Sequence, residues 1–390
     1  MRRNTLVTTI IAVLGMMAFA ALAVGATLTV YRDGSGDFTL IQPALDAAAD
    51  GDTVLIGPGE FTEETIFRPP GWAYDLRAFG QVKCDSLTII GAGVGLTVLG
   101  PIEYVLDGQF FNPKGFDYRV YGSLMIENLT IRNCAEAIKG IGTIFINNCE
   151  FLNNQQGLFW ETLGSGGWVK STYIEAVVGG ASLYVIGPSS NFVVEDCDMS
   201  NGEVVVKSID DFRMTRCKIS SNTTGLDIYG ASNVFVDQCE FVDISVYGVY
   251  FLGSGGTCDI QGSVIHGDGA AVMIRGVGSR YFIDSSTLVG GTQATITAER
   301  YSGPIVVHNS DFIKGTGPVI WCEPTTTPVT HDLTNNYWGT ADIAQIEEWI
   351  IDENDDPGIA ATVLFSPYSN VPLPVDSNTK SFGGIKAMFR

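Results

Sequence analysis

Apolar residues recur along this chain in a register that no single helix or hairpin explains. Segments with an apolar residue at each end and a mostly small fourth residue read INNCEF (146–151), VEDCDM (194–199), MTRCKI (214–219) and VDQCEF (236–241). The register continues through IENLTI (126–131), VKSTYI (169–174), IQGSVI (260–265), IDSSTL (283–288), VHNSDF (307–312) and LTNNYW (333–338). Their fourth positions are Leu129, Cys149, Thr172, Cys197, Cys217, Cys239, Ser263, Ser286, Ser310 and Asn336. The intervals are 20, 23, 25, 20, 22, 24, 23, 24 and 26 residues. Such a period predicts stacked units, each too small to bury its own apolar face and each dependent on its neighbours.

A second strand pattern lies between these segments: GLFWE (157–161), SLYVI (182–186), EVVVK (203–207), GLDIY (225–229), GVYFL (248–252), AVMIR (271–275) and PVIWC (318–322). Period two turns Leu226/Ile228, Val249/Phe251 and Val272/Ile274 inward and sends the side chains between them outward. Two or three short strands per repeat, joined by tight turns, predict an all-β fold, a single-stranded parallel β-helix. Leucine-rich repeats would need recurrent Leu and Asn motifs, and a propeller would need repeats of about 40–50 residues. A sandwich would not sustain the register.

The register also interprets the cysteines. An inward fourth position makes Cys197, Cys217 and Cys239 small core residues, with Cys149 one rung removed. Cys84, Cys134, Cys258 and Cys322 fall outside the register, and a disulfide among them stays open. At the start, Asp33-Gly34-Ser35-Gly36 reads as a turn. Residues 40–49 read as a short helix whose Leu40, Ile41, Ala44, Leu45 and Ala48 cover the first rung. At the other end, residues 341–350 read as a helix with Ile343, Ile346 and Ile350 on one side, followed by a strand at 363–365. Caps of this kind hide the unpaired sheet edge at each end of a coil.

Arg2 and Arg3 precede an apolar run from about Leu6 to Val24, with Gly25-Ala26 as a small-residue exit. The pattern predicts a secretory signal over 1–26, the alternative being an uncleaved anchor. The expected organisation is then a β-helix domain over 27–370, with a linker and candidate sorting tail over 371–390. The full chain carries 22 Lys+Arg, 43 Asp+Glu and a net charge of −21, and loss of Arg2 and Arg3 takes it to −23. That field argues against nucleic acid or an anionic membrane surface as partner. The expected location is secreted or at the cell surface, with no membrane insertion once the signal is removed and with attachment possible only through the tail.

The segments DGSGDF, IQPALDAA and GDTVLIGPGEF at the start, and NNYWG with FSP at the end, resemble those of the pectate-lyase-like β-helix superfamily. Secreted bacterial β-helix-repeat proteins are the nearest in pattern. The resemblance implies a right-handed coil and an acidic polysaccharide as partner. It does not carry catalysis across: DFIKG (311–315) only faintly resembles the catalytic-aspartate segment of pectin methylesterases, and polygalacturonase and pectate-lyase patterns are absent.

Outward positions of the second strand pattern form the candidate binding strip: Phe159, Tyr184, Lys207, Asp227, Tyr229, Tyr250, Arg275 and Glu299, with Glu161, Val205, Met273 and Arg300 beside them. Aromatic rings suit sugar faces, and Lys207 and Arg275 suit carboxylates. Aromatic residues in two interruptions, 61–86 and 101–123, are expected either as walls near the amino-terminal rungs or as local hydrophobic caps over an exposed face. No catalytic constellation is legible, and His266, His308 and His331 form no connected network. The expected function is binding or display against extracellular polysaccharide. The alternative is a lyase or glycoside hydrolase, for which Asp227 and Glu299 are the acids and Tyr229, Lys207 and Arg275 the groups that handle a uronate. Calcium is a candidate cofactor, with residues 352–356 (DENDD) as an oxygen-rich loop.

Overall fold

The computed structural model describes residues 25–68, 75–103, 113–119, 121–188, 191–299 and 303–373. Their 33 strands join in one sheet. Strand pairs are parallel except where Thr65–Phe67 runs antiparallel to Leu76–Val82. Pairing partners lie one sequence repeat apart, as in Tyr184 with Val205, Val205 with Asp227 and Asp227 with Tyr250. A sheet that pairs each repeat with the next is a coil, the parallel β-helix read from the period.

Three ladders run along the coil. The first contains the GLFWE-type strands. The second contains Ser123–Glu127, Thr143–Asn147, Gly167–Lys170, Phe192–Glu195, Asp211–Thr215 and Asn233–Asp237. The third follows the small fourth residue, as in Lys218–Ser220 and Glu240–Val242. One continuous core extends from Val30 to Val363.

The third position of each repeat explains the sharp bend from second to third ladder. Asn128, Asn148, Ser171, Asp196, Arg216, Gln238, Gly262, Ser285, Asn309 and Asn335 all have φ between 47° and 62°. That left-handed conformation is tolerated best by Gly, Asn and Asp. Arg216 and Gln238 adopt it because the rung closes around them: their N–H groups donate to Asp237 and Gln261 carbonyls at 2.9 and 3.0 Å. The fourth side chain then points inward. Cys197, Cys217 and Cys239 are buried, with thiols 3.2, 3.3 and 3.3 Å from the Glu195, Thr215 and Asp237 carbonyls. Ser263, Ser286 and Ser310 donate to the same carbonyl position at 2.8 Å. Each of these hydroxyls also accepts an N–H from the preceding rung, at 3.1–3.2 Å. A buried hydroxyl satisfied in both directions carries no desolvation penalty. All eight cysteines are free, so the disulfide left open does not form. Burial raises the Cys197 and Cys217 thiols well above their usual range, which suits a packing residue and not a nucleophile.

Both caps are present and smaller than expected. The amino-terminal helix is Ile41–Ala47, with Ile41, Ala44 and Leu45 buried. Leu40 is exposed, because it stands before the first helical turn in extended conformation. The carboxy-terminal helix is Ile343–Glu348, held by the Asp342 side chain, and only Ile346 of it is buried. Ile343 faces solvent and Ile350 belongs to a short strand, Ile350–Ile351, so the three isoleucines do not form one face. The last strand is Ile359–Leu364. Residues 1–24 and 374–390, which include nearly all of the expected signal and tail, lie outside the described residues.

Among the described residues of the two aromatic interruptions, Phe79, Phe116 and Tyr118 lie in the core and not on a wall, since their strands are rungs of the coil. Tyr121 is exposed. Trp72, Tyr74, Tyr104, Phe110 and Phe111 lie outside the described residues.

Candidate functional site

The first ladder brings most of the expected strip into line. Phe159, Tyr184, Val205, Asp227, Tyr250 and Met273 are successive partners in one outward row. Lys207, Tyr229, Leu252 and Arg275 form the adjacent row. The row begins earlier than the sequence suggested, with Asp117 and Lys139 preceding Phe159. Outward does not mean exposed here. Val205, Asp227 and Met273 are buried although they lie outside the continuous core, because large neighbours on adjoining rungs cover them.

The rings form a graded stack. Phe159 and Tyr184 lie parallel with centroids 5.0 Å apart. Tyr250 meets Tyr229 edge-on at 6.1 Å and stacks on Tyr247 at 5.7 Å. The Lys139 ammonium sits 4.5 Å above the Phe159 ring, and Lys207 lies 4.9 and 5.1 Å from the Tyr184 and Tyr229 rings. Lys207 Nζ donates to the Tyr184 hydroxyl at 2.7 Å. Arene faces on two sides hold this cation in place.

Asp227 is the chemical centre of the strip. Burial, then the Glu203 charge, push its carboxyl up to about 6, while the Tyr229 hydroxyl and Lys207 pull it down. The Tyr229 hydroxyl donates to Asp227 Oδ2 at 3.4 Å. Burial and the neighbouring Asp227 charge hold Tyr229 up at about 12, so the phenol keeps its proton. Glu203 is also raised, by burial. A carboxyl poised near neutrality between a phenol and an ammonium can take a proton from a carbon acid, with the cation steadying the charge that develops.

Glu299 lies farther along the strip, where it pairs with Arg275, Nε to Oε2 at 2.8 Å. Three rungs of about 4.8 Å each separate the Asp227 row position from that of Thr297, two residues before Glu299. Asp227 and Glu299 are therefore not an acid pair, and Glu203 is the carboxylate that Asp227 feels. Arg300 lies outside the described residues. At the other end, Lys114 and Arg119 pair with buried Asp117, each at 2.8 Å, and Lys139 pairs with Glu136 at 2.8 Å. Glu203, Tyr247 and Lys139 were missed. Glu203 was findable, since it shares period-two parity with Val205 and Lys207 in EVVVK, whereas Lys139 joins the row only through pairing.

The acidic loop does not fit calcium. Asp352 is buried and its carboxylate accepts from Asn354 N, Asn354 Nδ2 and Val363 N at 2.9, 3.0 and 3.0 Å. Asp356 accepts from Gly358 N at 2.8 Å and Glu353 from the Thr362 hydroxyl at 2.6 Å. These oxygens hold the cap together. Among the described residues no group of three His, Cys, Asp or Glu converges as a metal site. The histidines lie off the strip: His266 faces Asp268 at 3.3 Å, His308 faces Asp332 at 3.1 Å, and His331 is buried in the core.

The family described as "Right handed beta helix region" matches residues 118–265 and 203–370, together more than half of the chain. The chain belongs to this family. Its coil therefore has the right hand that the sequence resemblance implied. Two solved modules from Azotobacter vinelandii share the fold. One is the mannuronan C-5 epimerase AlgE4 A-module, 19% identical, with a TM-score of 0.56 over 85% of this chain and 94% of that one. The other is the AlgE6 A-module, 14% identical, with a TM-score of 0.50 over 86% and 95%. At such identities the likeness is one of fold. A comparison with curated proteins found no match. Among the described residues no helix is long and apolar enough to cross a membrane.

Proposed function

We propose that this chain is a secreted or cell-surface enzyme acting on an acidic polysaccharide, and that its first chemical step removes the C5 proton of a uronate. The observation that carries the reading is Asp227, buried within the aromatic strip, with a carboxyl raised to about 6 beside the Tyr229 hydroxyl and the Lys207 ammonium. A uronate C5–H is a weak carbon acid because its electrons can pass into the adjacent carboxyl group. In this reading Asp227 accepts the proton, Lys207 balances the enolate charge, and the rings of Phe159, Tyr184 and Tyr250 hold the sugars. Tyr229 keeps a proton that it can give.

Two outcomes share that step. If the C4–O4 bond breaks and Tyr229 protonates O4, the product is an unsaturated uronate. If Tyr229 instead gives its proton to C5 from the opposite face, the sugar is inverted, and the phenolate regains a proton from water as Asp227 loses its own; inversion at C5 is the reaction named in the two structurally similar epimerase modules. That name supports the second outcome. Display without catalysis, the simpler expectation from sequence, leaves the raised Asp227 without a purpose.

The test is incubation of the purified full chain with polymannuronate, polyguluronate and polygalacturonate in D2O. Deuterium at C5 or absorbance of unsaturated ends is expected, with both lost in Asp227→Asn. A chain that leaves C5 unlabelled and releases no unsaturated ends from any of the three polymers would sink the enzymatic reading.

A further inference from the structure

The second ladder carries another outward row, on a different face from Asp227. It runs Met125, Phe145, Trp168, Val193, Arg213, Phe235, Asp259, Phe282 and Val306, one side chain per rung, without a register shift. We propose that this row is a second glycan-binding platform, non-catalytic, and that it takes a neutral polysaccharide.

The four aromatic residues set the platform. Phe145 and Trp168 are adjacent, with centroids 5.3 Å apart. Phe235 and Phe282 continue the line two rungs apart, and Phe282 is exposed. Their ladder keeps one register, so the rings lie along an axis at multiples of about 4.8 Å. None of these four rings belongs to the continuous core. Rings that stand one, three and two rungs apart along a single line match an extended polymer of pyranose rings better than a compact partner.

Charge selects the kind of polymer. Exposed Arg280, two residues before Phe282, stands near one end of the row, while the cations along its middle each have a carboxylate. Lys170 lies 5.5 Å from the Trp168 ring and pairs with Glu195 at 2.8 Å. Arg216 pairs with Glu195 and with Asp196 at 2.7 Å. Arg213, 5.7 Å from the Phe235 ring, has Asp211 at 3.9 Å. Further along, Asp237, Asp259 and Asp284 follow on the same face. An anionic chain, or a second copy of this acidic protein, meets like charge there. An uncharged chain meets aromatic faces flanked by carboxylates that accept hydroxyl hydrogen bonds. No titratable group of this row is buried beside an acid and a cation as Asp227 is, so the platform binds without reacting.

Affinity electrophoresis of the full chain through gels containing hydroxyethylcellulose, glucomannan or mixed-linkage glucan tests the proposal. Retardation in at least one neutral gel is expected. It should vanish in Phe145→Ala/Trp168→Ala, persist in Trp168→Phe, which keeps a ring, and persist in Asp227→Asn and Tyr229→Ala. Phe282→Ala, at an exposed position, gives a weaker loss and serves if the double variant fails to fold. No retardation in any neutral gel overturns the proposal. So does retardation that depends on Tyr229 instead of Trp168, or a concentration-dependent dimer abolished by the double variant.

Discussion

The first and second ladders share one coil, one period and nearly the same spacing of outward aromatic residues, yet they are chemically different. On the first, Asp227 is buried against Tyr229 and Lys207, and its carboxyl is shifted to about 6. On the second, Lys170, Arg213 and Arg216 are each paired with a carboxylate. Aromatic rows alone therefore do not tell the two faces apart. What does is a titratable group that neighbours cover without fully neutralising.

The largest expected effect falls on the base. Asp227→Asn should lower turnover on an acidic polysaccharide by about 10²–10⁴-fold, the range for losing a positioned acid–base group. The same change should raise stability at neutral pH. A carboxyl whose folded pKa is raised contributes stability that is fully present below its unfolded value near 4 and is lost as pH rises through about 6. The amide does not ionise, so melting temperatures of Asp227→Asn and the parent should diverge between pH 4 and 6, with the variant higher at pH 7. A fall in both activity and melting temperature at pH 7 would make Asp227 a structural residue.

Lys207→Met should come next. It keeps the stem between Tyr184 and Tyr229 but removes the ammonium, so kcat/KM on a uronate polymer should fall by about 10²–10³-fold, the usual cost of one electrostatic stabiliser. An equal loss of binding to a carboxyl-reduced polymer would instead mean that the lysine only packs. The mirror experiment is Phe145→Ala/Trp168→Ala, which should leave uronate turnover unchanged within about two-fold, since about ±0.5 kcal/mol is typical of surface changes. A large loss would merge the two faces into one site. The smallest effect is expected from Glu203→Gln. Removing that like charge lowers the Asp227 pKa, so the acid limb of the rate profile should move to lower pH by a fraction of a unit. A limb that stays in place would leave burial as the sole cause.

Much of the scaffold is legible in the chain because side-chain parity and period are local properties. VEDCDM places Cys197 inward by counting alone, and the same counting put Lys207, Asp227, Tyr229 and Tyr250 on one outward surface. It was less reliable where a repeat is interrupted. Phe116 and Tyr118 looked like wall residues but are rungs, since nothing in KGFDY announces its parallel partner in EAIKGI. It also overextended the carboxy-terminal helix, where Ile350 pairs with Ile320 and leaves the helical face.

By itself the sequence determined the coil, its period, the small inward residue of each rung, and which side chains face out. Those follow from backbone sterics and the need of every rung to borrow a neighbour's apolar surface. Only the tertiary structure decided which outward residues meet. It joined Asp227 to Glu203 and separated it from Glu299, because rung stacking carries side chains together by pairing and not by order in the chain. It also decided protonation. Burial raises Asp227 and the cap's backbone N–H groups occupy Asp352, two aspartates that look alike as letters and differ through what surrounds them.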